Sequence, residues 1–307
     1  MSARVGRAAP TPPLVWQTAH RRISLVRSVV VGILNVTPDS FSDGGRQFAP
    51  DDAVRAGLAM REAGAGLLDV GGESTRPGAG APDEAEERRR VVPVIERLVA
   101  EVGLPVSVDT RRASVARAAL AAGAEIVNDV SGLAHDADMA RVVAGAGAGV
   151  VLMHMRGTPA TMDELARYDD PARDVARELA ERRDAALVAG IAPAAIVVDP
   201  GLGFAKNPEQ NLALIDQLET IAALGHPVLV GPSRKRFLGA VAGRAAAADR
   251  DAATAAACVA ARMRGAVLFR VHDVASAREA LDVADAVLAH AVAPDPRARG
   301  PVPARTA

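Results

Sequence analysis

The chain has 307 residues, 36 cationic and 37 acidic side chains, and a formal charge of −1. That balance carries no basic footprint for nucleic acid, and five Phe, one Tyr and one Trp furnish no long base-stacking platform. The lone cysteine, Cys258, excludes an intramolecular disulfide framework and a Cys-based zinc site; in its Ala-rich helical pattern it reads as a small buried apolar residue.

In chain order, residues 1–24 are Pro/Arg-rich and non-periodic and read as a flexible N-terminal extension. They lack the apolar core of a secretory signal, and no stretch approaches the ~18 apolar residues of a membrane span. A cytoplasmic protein with no membrane partner is the expectation. From there to residue 290, β-branched runs alternate with Ala/Leu/Arg helical patterns. The runs are Val29–Asn35, Leu67–Gly71, Val106–Asp109, 125–129, 150–154, Ile196–Asp199, 228–231 and 267–271. Near-continuous apolar strands, each followed by a helix, imply a parallel sheet covered on both faces. Eight such units fit a (β/α)8 TIM barrel, of the α/β class, and no linker divides residues 25–290, so one domain is expected. Residues 291–307 read as a flexible C-terminal tail. The run DEAEERRR pairs Glu84 with Arg88 and Glu86 with Arg90 at i,i+4 spacing, as a solvated helix face does.

Polar residues recur where the runs end: Asn35, Asp109, Asn128, Asp129, His154, Asp199, then Ser233, Lys235, Arg270 and His272. In a barrel these carboxyl-terminal ends converge on one mouth. Any one alone suits a helix cap, Asp109 especially; recurrence after strand upon strand is harder to attribute to capping. NVTPDSFSDGG (35–45) and GGESTRPGAG (71–80) are too long and polar for minimal turns and suit mobile active-site loops. Asp39 and Asp43 suit a cation or a cationic intermediate; Ser74, Thr75 and Arg76 suit an anion. DPGLGFAK (199–206) turns tightly after its strand, with Phe204 expected to be exposed at the mouth. Asp109, Asp199 and the Asn128 amide suit a guanidine-like heterocycle edge. In GPSRKRFLG (231–239), Ser233 and the following helix start suit an anion, and Lys235 offers a point donor. Arg270 and His272, two apart, share a face where both meet phosphate. Met153 is an apolar wall for a flat ring or a core residue. Of the 36 cations only Lys206 and Lys235 are lysine, which marks both in an Arg-biased chain. His154 and His272 make no zinc pair on spacing, and His20, His135, His226 and His290 read as structural or surface residues.

Together NVTPDSFSDGG, DVGGESTRPG, NDVSG, DPGLGFAK, GPSRKRFLG and RVHDV resemble the dihydropteroate synthase family, in order, over about residues 29–290. The resemblance implies a (β/α)8 transferase of folate biosynthesis. It joins 6-hydroxymethyl-7,8-dihydropterin pyrophosphate to p-aminobenzoate, giving 7,8-dihydropteroate and pyrophosphate by an SN1-like displacement. By analogy Asp109, Asn128, Asp199 and Lys235 hold the pterin, with Met153 and Arg270 against its faces and Thr75 a further contact. Arg270 and His272 match the anion pair, and Asn35 the Mg²⁺ position. Phe41, Arg76, Phe204 and Ser233 match residues around p-aminobenzoate, where sulfonamides bind in the family. Asp43 is the candidate for stabilising the pterin methylene cation. Mg²⁺ as cofactor, the two small-molecule substrates and a homodimer are implied in the same way. A pterin-binding methyltransferase barrel shares Asp109, Asn128 and Asp199 but leaves the Thr-Arg loop, Ser233 and the Arg270/His272 pair unexplained. A non-catalytic paralogue would carry substitutions in the first two loops, which are intact.

Overall fold

The structure, a computed structural model, describes residues 15–36, 50–73, 82–158 and 160–292. Its centre is a closed barrel of eight parallel strands: β3 Val29–Asn35, β4 Leu67–Gly71, β5 Val106–Asp109, β6 Ile126–Asp129, β7 Gly149–Met153, β8 Ile196–Asp199, β9 Val228–Val230 and β10 Ala266–Val271, with β10 closing onto β3. The intervening helices are α1 Pro50–Glu62, α2 Glu84–Glu101, α3 Ala113–Ala121, α4 Met139–Ala146, α5 Pro171–Val188, α6 Pro208–Asp216, α7 Glu219–Ala222, α8 Arg236–Ala242, α9 Asp251–Arg262 and α10 Val274–Val292. The architecture is the expected single-domain (β/α)8 barrel. Among the described residues no helix is long and apolar enough to cross a membrane.

Alternation along the strands makes two cores. Val30, Leu68, Val70 and Val108 point outward against the helices, in a layer shared with Ile95 and Leu98 of α2. Val31, Leu67, Val151, Val197, Leu229 and Val267 point inward and fill the lower barrel. Parallel strands buried on both sides need apolar residues at every position, which is why they read as unbroken runs.

Residues 15–24 differ from the sequence reading as part of a flexible extension. β1 (Val15–Gln17) pairs antiparallel with β2 (Arg22–Ser24). Trp16, between them, is 1% exposed and joins the inward core. Its indole N–H donates to the carbonyl of Ala195 at 2.8 Å. An open barrel end exposes the apolar interior, and a large aromatic with one satisfied donor closes it well. Composition hid this, because Trp16 stands alone among Pro, Arg and Thr. In DEAEERRR, Arg90 pairs with Glu86 as expected, but Glu87 is fully buried and accepts from the Thr110 hydroxyl at 2.6 Å and from Arg112.

Candidate active site

At the mouth, Asn35, Gly71, Asp109 and Asn128 stand in register across β3 to β6, and Met153 pairs with Asp199 across β7 and β8. Gly71 leaves room beside Asp109: an added Cβ there would come within 3.5 Å of the Asp109 Cβ. The next inward layer below holds a residue that the sequence reading missed. Asp69, in the middle of β4, is 1% exposed and accepts from Arg270 Nε at 2.6 Å and Asn128 Nδ2 at 3.0 Å. Arg270 also reaches Asp109 through its second terminal nitrogen at 2.7 Å. One guanidinium thus spans two carboxylates. A carboxylate in the middle of an otherwise apolar strand was the available signal, since such a charge needs a buried partner.

This crowding shapes the acidities. Burial pushes Asp109 up to about 7, with Arg270 opposing and Asp69 reinforcing. Burial likewise raises Asp199 to about 6, against the Gly201 N–H that donates to its Oδ1 at 2.7 Å and the charges of Lys235 and Lys206. Lys235 is lowered to about 8 by burial and by Arg270, with Asp199 and Asp109 opposing. Two carboxylates able to accept, one amide and one ammonium therefore converge on the mouth, a set that complements the donor–acceptor edge of a flat heterocycle.

Phe204, expected to be exposed, is 7% exposed and lies 4.0 Å beneath Lys235 Nζ, packed with Met153 and Met162. The loop after β8 folds back over itself to place it there. Gly201 (φ +69°) and Gly203 (φ +80°) allow that reversal; a Cβ at 201 would lie 2.0 Å from the His154 carbonyl oxygen. Met153 itself is buried in this cluster and forms its wall on the barrel side.

Next round the mouth, after β9 and β10, Ser233 Oγ contacts His272 Nδ1 at 2.8 Å and accepts the His272 backbone N–H at 3.0 Å. His272 Nε2 faces Asn35 Nδ2 at 3.5 Å. Arg234, between Ser233 and Lys235, is left-handed (φ +57°), with its guanidinium on both oxygens of Asp251 at 2.7 Å. Asn35, Ser233, Lys235, Arg270 and His272 are thus brought together, with Asp109, Asn128 and Asp199 facing them. Phe41, Asp43, Thr75 and Arg76 lie outside the described residues.

Residues 31–272 match the family model described as "Pterin binding enzyme", and the chain belongs to that family. It is 49% identical over 272 residues to the dihydropteroate synthase of Mycobacterium leprae, covering 87% of this chain and 95% of that protein. It is 44% identical over 261 residues to that of Synechocystis, covering 85% and 90%. Among solved structures, the Xanthomonas albilineans dihydropteroate synthase with 4-aminobenzoic acid superposes with a TM-score of 0.85 at 47% identity, covering 92% of this chain and 99% of that one. The same enzyme in complex with 7,8-dihydropteroate gives 0.82 at 45%, covering 91% and 100%. The Yersinia pestis enzyme with a sulfonamide drug gives 0.85 at 39%, covering 90% and 99%. Within the family, the activity of this chain is that of a dihydropteroate synthase, a transferase.

Proposed function

We propose that the barrel mouth binds 6-hydroxymethyl-7,8-dihydropterin pyrophosphate and p-aminobenzoate and joins them through the residues gathered there. The observation that carries this reading is the convergence of Asp109, Asn128, Asp199 and Lys235 on one opening. The carboxylates and the Asn128 amide take the pterin's N–H edge. Lys235 supplies a point donor, while Met153 and the Arg270 guanidinium take the ring's two faces. Thr75 adds a contact from the second loop.

In the reaction the C–O bond to pyrophosphate breaks and a C–N bond to the arylamine forms. The arylamine then loses a proton. The leaving group takes the electron pair of the C–O bond, and the methylene cation delocalises into the pterin, which favours an SN1-like path. Arg270 and His272 meet the developing pyrophosphate charge. Asp43 stabilises the cation from the first loop. Phe41, Arg76, Phe204 and Ser233 surround p-aminobenzoate, so positioning replaces any nucleophilic triad.

Among the described residues no group of three or more His, Cys, Asp or Glu could hold a metal; Asn35, at the end of β3, would offer Mg²⁺ one side-chain oxygen. Mg²⁺ keeps most of its shell from water and substrate phosphate, and one protein oxygen is sufficient to place it. When bound it would neutralise charge on the leaving group. The same reading makes the protein a sulfonamide target and a cytoplasmic homodimer, the latter checked by sedimentation. The direct test of activity is pyrophosphate release from the pterin substrate by purified, folded protein. Release that requires both p-aminobenzoate and Mg²⁺ is expected; no release overturns the reading.

A further inference from the structure

Lys206 takes no part in the chemistry above, yet it is 7% exposed, deep beside the mouth. Its Nζ lies 3.0 Å from His154 Nδ1, 3.1 Å from the Gly201 carbonyl and 2.8 Å from the Phe204 carbonyl. An ammonium has three protons, and three acceptors surround this one. His154 Nδ1 accepts, so its Nε2 carries the ring proton toward Glu178, 2.9 Å away. That tautomer is the neutral imidazole, in keeping with a His154 pKa lowered to about 4 by burial and by the Lys206 charge.

The three acceptors belong to two different parts of the site wall. His154 follows β7, whereas Gly201 and Phe204 sit on the loop after β8. Gly201 passes the restraint on, since its N–H holds the Asp199 carboxylate at 2.7 Å. Phe204 passes it on through its ring, which lies beneath Lys235. The backbone is bent to permit this: Ala205, directly before Lys206, is left-handed at φ +49°. From the other side Asn211 accepts the Gly203 N–H at 2.6 Å and donates to the Lys206 carbonyl at 3.2 Å. The loop is thus tied to α6 along one side and, through a single ammonium, to the end of β7 along the other. A planar guanidinium spreads its donors over a fork and cannot converge on three acceptors around one nitrogen. This accounts for a lysine persisting here in a chain with only one other, Lys235.

We propose that Lys206 is a positioning residue for both substrates, its ammonium fastening the 199–206 loop to His154 and thereby setting the Asp199 carboxylate and the Phe204 ring. The proposal rests on the assignment of Asp199 to the pterin and Phe204 to p-aminobenzoate. Burial draws the Lys206 pKa down to about 7, opposed chiefly by Asp199, so the clamp forms against a desolvation cost.

The test compares full-length wild type with Lys206→Arg, Lys206→Met and, as a control on the site itself, Asp199→Asn. The readouts are KM and kcat for each substrate, thermal unfolding, and amide hydrogen exchange across residues 199–206. Both Lys206 variants are expected to raise the KM for p-aminobenzoate and for the pterin about fivefold or more. Exchange at Gly201, Gly203 and Phe204 should quicken while that of α3 stays unchanged. Wild-type KM values with only a lower Tm would reduce Lys206 to a structural residue and overturn the proposal. If neither variant folds, His154→Phe keeps a flat ring and removes the acceptor. Unchanged KM values and exchange in that variant overturn the proposal equally. If Asp199→Asn leaves the pterin KM untouched, the site assignment fails instead. Slow exchange of the loop in the Lys206 variants would then still count against the clamp.

Discussion

Arg270 rests on Asp69: the guanidinium Nε lies 2.6 Å from a carboxylate oxygen that is itself closed off from solvent. The same oxygen takes the Asn128 amide, so one carboxylate aims two side chains of the mouth. Asp69→Asn is expected to lower kcat/KM for the pterin substrate by tenfold to about a hundredfold, the worth of a hydrogen bond to a charged group. Asp69→Ala leaves Arg270 its bond to Asp109 but removes a buried charged hydrogen-bond partner, and should cost about 1.5–3 kcal/mol of stability. Steady-state kinetics and thermal unfolding check both, and an unchanged kcat/KM in the Asn variant sinks the idea that Asp69 orients Arg270.

Lys235→Arg keeps the charge but alters its shape. The lysine stem runs against Gly203, where an added Cβ would lie 2.8 Å from Lys235 Cδ, and its Nζ sits on the Phe204 ring. A fork has no space there, and a rise of about tenfold or more in the pterin KM is expected. Wild-type kinetics in this variant would refute a point-donor role.

The acidities set a pH profile. Asp199 and Asp109 must be ionised to accept the pterin's protons, and burial lifts them to about 6 and about 7. Lys235 must be charged to donate, and burial lowers it to about 8. The kcat/KM for the pterin substrate should therefore be a narrow bell, rising through pH 6–7 and falling through 7–8 as first Lys206 and then Lys235 lose their charges. Stability of the unliganded protein moves differently. Both folded carboxyl pKa values lie above the unfolded value of about 3.9, so their contribution is full below that pH and lost as pH rises through 6–7. Tm measured from about pH 5 to 6.5 should fall, because only above about pH 7 do the lowered Lys206 and Lys235 pKa values act in the opposite sense; Asp199→Asn should flatten part of that slope, and a slope unaltered by the substitution counts against it.

Trp16 tests whether the floor of the barrel acts on its mouth. Trp16→Ala should cost about 3–5 kcal/mol, as large-to-small changes at packed aromatics do. Since Trp16 lies among Val31, Leu67 and Ile126 on the inward lower face, both KM values should stay at wild type in the folded fraction. A shifted KM would show that floor and mouth are coupled.

The barrel was legible because each strand is buried on both faces. Val29–Asn35, Leu67–Gly71, Val106–Asp109 and Ile196–Asp199 run as read, and the others differ by a residue or so at an end. The polar strand ends were legible for the same reason, since a charge after an apolar run has few roles to fill. Asp69 was not, because it is inside a run rather than at its end and its partner Arg270 lies 201 residues away. Phe204 was misjudged because left-handed turns at Gly201, Gly203 and Ala205 fold the loop inward, a reversal that also buries Lys206. Spacing alone does not reveal such a reversal. Trp16 was hidden by its neighbours, which are those of a tail.

That floor residue has a practical consequence. Trp16 is the only tryptophan of the chain, and its buried indole lies among apolar side chains below Asp69, Asn128 and Arg270, with which it lines one small cavity. Its fluorescence should be blue-shifted in the folded protein and shift red when the barrel opens. The molecule thus contains an intrinsic optical reporter of global unfolding.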